Sequence, residues 1–368
     1  MKNTEEGSAA CTAEPTATRA GASGATPAQT PPETGAVPLP GAAGEAQLAK
    51  TGISSPAGEP LAPWPTSPGA NPIPRPVRLG FRMLPLLGEA LTARVAERLF
   101  CTPRSFRPRA SEERLLDAAD PFPLRVGSRT LTGYSWGRGP TVLLVHGWEG
   151  RAGQLTPLVP ALVTAGFRVV AWDAPAHGRS PGRTATLVEF ADGIWAAARA
   201  SGALHGVVAH SMGAAAAGLA LSEGLTPKRA AFIASPYSMD VYAAEFARLL
   251  GISKGVHERM VRSLERRFHV RMSELTFDAL VPEAEVPLLV AHDADDREVP
   301  HAFGARIAAD WPQGELVTTR GLGHRRILRD AHVVRRVTRF VSQGADLAAT
   351  AGQAVCPLDL LPGVSRTG

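Results

Sequence analysis

The stretch VVAHSMGAAAAG, Val207 to Gly218, places one hydroxyl, Ser211, between a branched apolar run and a run of small residues. An apolar strand that stops at a serine and passes at once into a small-residue helix is the sequence form of a sharp strand-to-helix turn. Ala209 and Gly213, two before and two after the serine, are small because such a turn crowds them against neighbouring backbone. A serine placed this way projects at the carboxyl end of a sheet, beside a helix N-terminus. The chemistry open to it is nucleophilic attack. At neutral pH that hydroxyl needs a base to take its proton, and the base needs a carboxylate to orient it.

The surroundings of Ser211 resemble the α/β-hydrolase superfamily, whose elbow reads Gly-x-Ser-x-Gly. Ala209 stands where the family has its first glycine, and alanine still meets the steric demand. Upstream, TVLLVHGWEG supplies His146-Gly147 followed by Trp148, and DAPAHGRS, Asp173 to Ser180, looks like the family's Asp-x-Pro-x-x-Gly-x-Ser turn. Downstream, LLVAHDADDREVP resembles the acid loop in which Asp-x-x-Val-Pro places the carboxylate, which selects Asp296. GLGHRR offers His324 before a C-terminal helix, in the family's order of serine, acid, histidine. The resemblance covers about residues 115–345. It implies that His324 takes the proton of Ser211, that the amides of Trp148 and Met212 hold the oxyanion, and that no metal or organic cofactor is needed.

Rival assignments stay open at this point. Asp293 and Asp295 share the loop with Asp296, with Asp293 expected to cap or brace it, and Asp240 is a more distant acid. His146, His177 and His210 occupy motif positions whose usual role is to brace turns, and His292 lies at a strand end. Trp148 could line an acyl pocket or cover core. Glu149 reads as a loop hydrogen-bonder. Arg262, Arg266, Arg267 and Arg271 recur at helical spacing, as a solvated face or as a seat for an anionic substrate tail.

The elements that must carry these residues follow from the pattern of apolar runs. PLRVG and RTLTGYSWG read as an antiparallel opening pair; TVLLV, RVVAW, LHGVVAH, RAAFI, PLLVAHD and GELVTT read as strands, most with helical segments between them. Their consecutive apolar positions suit parallel strands covered on both faces, hence an α/β fold with a mostly parallel, doubly wound sheet. About 50 residues separate FIASP from PLLVAHD, more than a crossover needs, and an inserted helical cap over 237–285 is expected. The α/β-hydrolase domain is expected over 115–345.

Before it, residues 1–76 hold 14 of the 32 prolines and 9 glycines with no hydrophobic period, the composition of a disordered tail. Residues 77–114 read as an amphipathic helix and connector, with Leu84, Leu87, Leu91, Val95 and Leu99 at helical spacing and a break or start near Pro85. Packing on the following domain is the expected fate of that stripe, and contact of 77–101 with a membrane surface is the alternative. Residues 346–368 read as a loose C-terminal tail.

The chain has 368 residues, 44% hydrophobic, with a net charge of +5 carried almost wholly on arginine. Acidic residues are scattered among the basic ones, without an aromatic-interleaved stripe, so nucleic acid is not expected as a partner. Cys11, Cys101 and Cys356 are odd in number and far apart, which argues against a disulfide framework or a zinc site. With no apolar secretory region and no 18-residue apolar window, a cytoplasmic protein without a transmembrane segment is expected. The reading that follows is a serine hydrolase acting on carboxylic esters of a small acyl substrate. Thioesterase or acyltransferase chemistry with the same three residues, or a non-catalytic binding module of the same fold, are the alternatives. A dehalogenase is excluded because it needs a carboxylate where Ser211 stands.

Overall fold

The protein is described as a computed structural model covering residues 72–280 and 285–345. The segments read above as tails lie outside the described residues for 1–71 and 346–368, as do four residues, 281–284, at the end of the expected cap.

Eight strands form one sheet: β1 (Asp120–Val126), β2 (Arg129–Trp136), β3 (Thr141–Val145), β4 (Arg168–Trp172), β5 (Leu204–His210), β6 (Arg229–Ile233), β7 (Leu288–Asp293) and β8 (Gly314–Thr319). They lie in the order β1-β2-β4-β3-β5-β6-β7-β8. β1 and β2 form an antiparallel hairpin that joins the sheet through an antiparallel pairing of β2 with β4; every later pairing is parallel. The swap of β3 and β4 in the order puts β5, the strand leading to Ser211, at the centre of the sheet.

Helices precede and separate the strands. In chain order they are α1 (Arg75–Met83), α2 (Glu89–Phe100), α3 (Ala110–Asp117), α4 (Val159–Thr164), α5 (Leu187–Ser201), α6 (Met212–Ser222), α7 (Met239–Leu250), α8 (Lys254–Phe268), α9 (Phe277–Leu280), α10 (His301–Asp310), α11 (Gly323–Arg326) and α12 (Ala331–Ser342). Alternate residues of the central strands face opposite layers. Val145, Trp172, Val207 and Phe232 pack with α5, α6 and α10 on one face. Val142, Ala171, Val208 and Ile233 pack with α4 and α12 on the other. A strand covered on both sides has no solvent face, which is why β3, β5 and β7 are apolar at almost every position and buried along their whole length.

Two boundaries differ from the sequence reading. α1 begins at Arg75, inside the segment read as tail, and α3 runs across the 114/115 division. Within 77–101 the helix is interrupted near Pro85, as read from the sequence: α1 and α2 are parted by a 3-10 turn at Leu84–Leu87 whose Pro85 cannot extend α1. The leucine stripe is not packed as expected: Leu87, Leu91, Val95 and Leu99 are exposed, and α2 turns Thr92, Ala93 and Ala96 inward instead.

Candidate active site

β5 ends at His210 and α6 starts at Met212, leaving Ser211 alone in the turn with φ 52° and ψ −123°. A side chain in this backbone region costs roughly 1–3 kcal/mol and persists only when its surroundings fix it. The Ser211 amide donates to Ile233 O at 2.9 Å, and the amide of Ala214 donates back to Ser211 O at 2.8 Å. A Cβ on Gly213 would lie 2.3 Å from His146 O, so only glycine fits two residues after the serine. Ala209, two before it, is fully buried between β3 and β6 and keeps its methyl.

Three residues far apart in sequence meet there. Ser211 Oγ lies 3.0 Å from His324 Nε2, and His324 Nδ1 lies 2.7 Å from Asp296 Oδ2. With the proton of the ring on Nδ1, the imidazole donates to the carboxylate and Nε2 accepts from the hydroxyl. His324 sits in α11 just beyond β8, its backbone held by His210 Nε2 bonding His324 O at 3.0 Å. All three side chains are buried.

Asp296 leads the loop after β7. Its Oδ1 accepts from the amides of Glu298 and Val299 at 2.8 and 2.9 Å. Burial pushes its carboxyl up, but hydrogen bonds from His292, His324 and the Val299 amide outweigh this and hold it well below the ordinary carboxylate range. Asp293 bonds instead to the Asp295 amide at 3.0 Å, to Thr319 Oγ1 at 2.7 Å and to the Leu322 amide at 3.1 Å, tying the loop to the end of β8. Asp295 accepts from the Gly321 amide at 2.8 Å. Asp240 is exposed in the first turn of α7. Of the four acids, Asp296 alone bonds His324 among the described residues.

The bracing histidines have defined roles. His146 Nε2 accepts from the Ala174 amide at 3.0 Å, and His177 Nε2 accepts from the Glu149 amide at 3.1 Å. Each ring therefore has to be neutral on that nitrogen. Burial lowers His146 to about 4 and His177 to about 3, the second helped by the ring of His146. Asp173 locks the same corner by accepting from Tyr134 Oη, the Ala152 amide and the Arg179 amide at 2.8 to 2.9 Å. Glu149 is pinned by Arg104 at 2.7 and 2.8 Å, and its φ of 55° is one of the few positive values away from glycine.

Met212 is the first residue of α6, where the amide has no acceptor four residues back. Trp148 follows Gly147, on which a Cβ would stand 2.8 Å from Ser211 Cβ. Met212 and Trp148 also line an apolar pocket, open on one side, whose wall includes Phe100, Tyr242, Leu264 and Phe268. The Trp148 ring thus lines the pocket while packing edge-on against His177 at 5.2 Å. Cys101 is in the same wall, and burial pushes its thiol up to about 12, so it stays protonated and inert.

Sequence reasoning gave no role to His292. Its Nε2 lies 3.1 Å from Val299 O and 3.4 Å from Asp296 Oδ2, so it meets the same carboxylate oxygen that His324 bonds. The spacing of four between His292 and Asp296 was its only trace. Of the pocket wall only Trp148 could be read from the sequence as a candidate, because much of the rest is assembled from the end of α2, the approach to α5, and α7 and α8.

Comparison with known proteins bears on this arrangement. Residues 142–337, just over half of the chain, match the Alpha/beta hydrolase family. The chain belongs to this family. A 45-residue stretch is 51% identical to a pimeloyl-(acyl-carrier protein) methyl ester esterase of Methylococcus capsulatus; it spans 12% of this chain and only 17% of that relative. An esterase of Pyrococcus furiosus has a similar structure at TM-score 0.51 and 20% identity, over 66% of this hydrolase and 98% of the esterase. A bacterial membrane phospholipase A is similar at TM-score 0.50 and 17% identity, over 72% of this chain and 94% of the other. At these identities the likeness speaks for a shared fold. No helix among the described residues is long and apolar enough to cross a membrane.

Proposed function

We propose that this hydrolase cleaves carboxylic esters through an acyl-enzyme, with Ser211 as nucleophile, His324 as base and Asp296 as the carboxylate that orients it. The observation that carries the reading is the continuous hydrogen-bonded line from Ser211 Oγ through the His324 ring to Asp296, at 3.0 and 2.7 Å, beside an apolar pocket. As Oγ attacks the acyl carbonyl, its proton passes to Nε2 and the imidazolium is stabilised by Asp296, which stays ionised because its hydrogen bonds hold its pKa low. The carbonyl oxygen becomes an oxyanion next to the Met212 and Trp148 amides, each such donor being worth about 3–4 kcal/mol to the transition state. His324 then returns the proton to the departing alkoxide, and a water activated by the same ring releases the acid. Helices α7 to α9 serve as the cap over the acyl pocket.

Incubation with a fluorophosphonate followed by peptide mass spectrometry should place the adduct on Ser211; labelling elsewhere on folded protein refutes the assignment. A panel of p-nitrophenyl esters should show kcat/KM rising about fourfold per added methylene until the pocket is full, as burial of each CH₂ contributes about 0.8 kcal/mol. Matched thioesters and acceptor alcohols in the same panel separate hydrolysis of esters from thioesterase or acyltransferase activity. A binding module that had given up catalysis would label and turn over nothing.

A further inference from the structure

The arm formed by α1 and α2 turns several of its large apolar side chains outward. Leu86 and Leu87 at the bend are 77% and 72% exposed, and Leu91, Val95 and Leu99 continue the row along one face of α2. Leu79 and Met83 of α1 extend it. Single exposed leucines are ordinary, but a contiguous row of this length is not. Nor is the arm free to roll the row under: Phe81 is anchored in the core from α1, and Ala93, Ala96 and Cys101 from α2.

Cations run alongside the row. α1 carries Arg75, Arg78 and Arg82 and no acid. On α2 the next positions around the helix are Arg94 and Arg98, and beyond them α2 meets α8 across an open hollow whose lining includes Arg94, Arg259, Arg262 and Arg266. Arg259 pairs with Glu89 at 3.2 Å and Arg262 with Glu258 at 3.6 Å. Arg94, Arg98 and Arg266 have no ion pair among the described residues. The sequence cluster therefore divides: Arg262 and Arg266 line the hollow, whereas Arg267 pairs with Glu97 and Arg271 with Glu274.

We propose that this face docks on an anionic bilayer, with the leucine row among the acyl chains and the arginine hollow holding lipid phosphates. The surface is a helix pair that presents apolar residues beside cations, and no described helix is long and apolar enough to cross a membrane, so the contact lies in the interface plane. A second copy brought to the same face would set arginine against arginine. Residues 1–71 hold few large apolar side chains and no hydrophobic period with which to cover the row. Docking also has a direction, since α2 ends in Phe100 and Cys101, which line the acyl pocket. The proposal stands on the surface alone and does not depend on the role of Ser211.

The test is sedimentation of the full chain carrying Ser211→Ala with vesicles of phosphatidylcholine, alone or mixed with phosphatidylglycerol. Binding is expected to the mixed vesicles and to weaken with salt. Leu86→Ser/Leu87→Ser and, separately, Arg94→Gln/Arg262→Gln/Arg266→Gln should each lower the partition coefficient on the order of a hundredfold, with thermal melting unchanged. Several results overturn the proposal: no vesicle association by the full chain, association by either variant undiminished from that of the chain with Ser211→Ala alone, or affinity for inorganic phosphate without affinity for vesicles. Binding that emerges only after removal of residues 1–71 also overturns it and makes that segment the occupant. So does a dimer abolished by the leucine changes in the absence of vesicle binding, which makes a second copy the occupant.

Discussion

Asp296 and Asp293 lie three residues apart, both buried and both multiply hydrogen-bonded, yet they face different tasks. Asp296 bonds the imidazole at 2.7 Å, so Asp296→Asn keeps the size of the side chain but presents an amide that favours the wrong ring tautomer. By analogy with other triads the loss in kcat should be on the order of 10³ to 10⁴. Asp293 bonds only the loop and the end of β8, so Asp293→Asn should lower the melting temperature and reduce kcat far less. Melting curves and kcat measured on the same preparations separate the two effects, and a deeper kcat loss for Asp293→Asn would transfer the orienting role to it. Ser211, Asp296 and His324 could be picked out in sequence because each needs a particular short backbone context: a small-residue elbow, an Asp-x-x-Val-Pro loop, a glycine-rich turn. His292 could not, because a histidine that touches an acid through space leaves no such local demand.

The elements were legible for a related reason. Strands buried on both faces must be apolar at consecutive positions, as the central ones are, and all eight runs read as strands are strands, the edge strands β1 and β8 being largely exposed. What joins β3 to β4 at the site is a pair of neutral histidines, and these carry a pH signature. His146 and His177 titrate near 4 and 3 in the folded protein, against about 6.5 when unfolded. Between these values the unfolded chain binds more protons, so stability rises with pH across the window from about 4 to 6.5 and is fully present above it. Each ring contributes a slope of up to about 1.4 kcal/mol per pH unit. Asp296, depressed rather than raised, loses its contribution only below the ordinary carboxylate range and so acts in a lower window. Melting temperature followed from pH 7 to pH 4.5 should fall steeply, and His177→Gln, though less stable at pH 7, should show a shallower fall. An unchanged slope in the variant would mean that His177 is already protonated in the folded state.

At the scale of the whole molecule, the sequence told that α2 is amphipathic but not which way it faces. A 3.6-residue period marks a stripe; whether the core accepts it depends on how closely α8 approaches, and here the close approach selects Thr92, Ala93 and Ala96 while the leucines stay out. The same helix then delivers Phe100 to the pocket, where its ring meets Phe246 edge-on at 5.1 Å and packs beside Tyr242. The segment ahead of the sheet is thus part of the pocket wall, whereas residues 1–71 have no periodic apolar face in their sequence. Removing 1–71 should leave kcat/KM for short-chain p-nitrophenyl esters within about twofold. Phe100→Ala should spare the acetate ester and lower kcat/KM for long-chain esters by roughly tenfold or more, since the lost ring contact on the acyl chain is worth about 1.5–3 kcal/mol. Equal losses for acetate and long-chain esters would show that Phe100 supports the fold of the site rather than the acyl chain, and a large loss on removing 1–71 would show that those residues reach it.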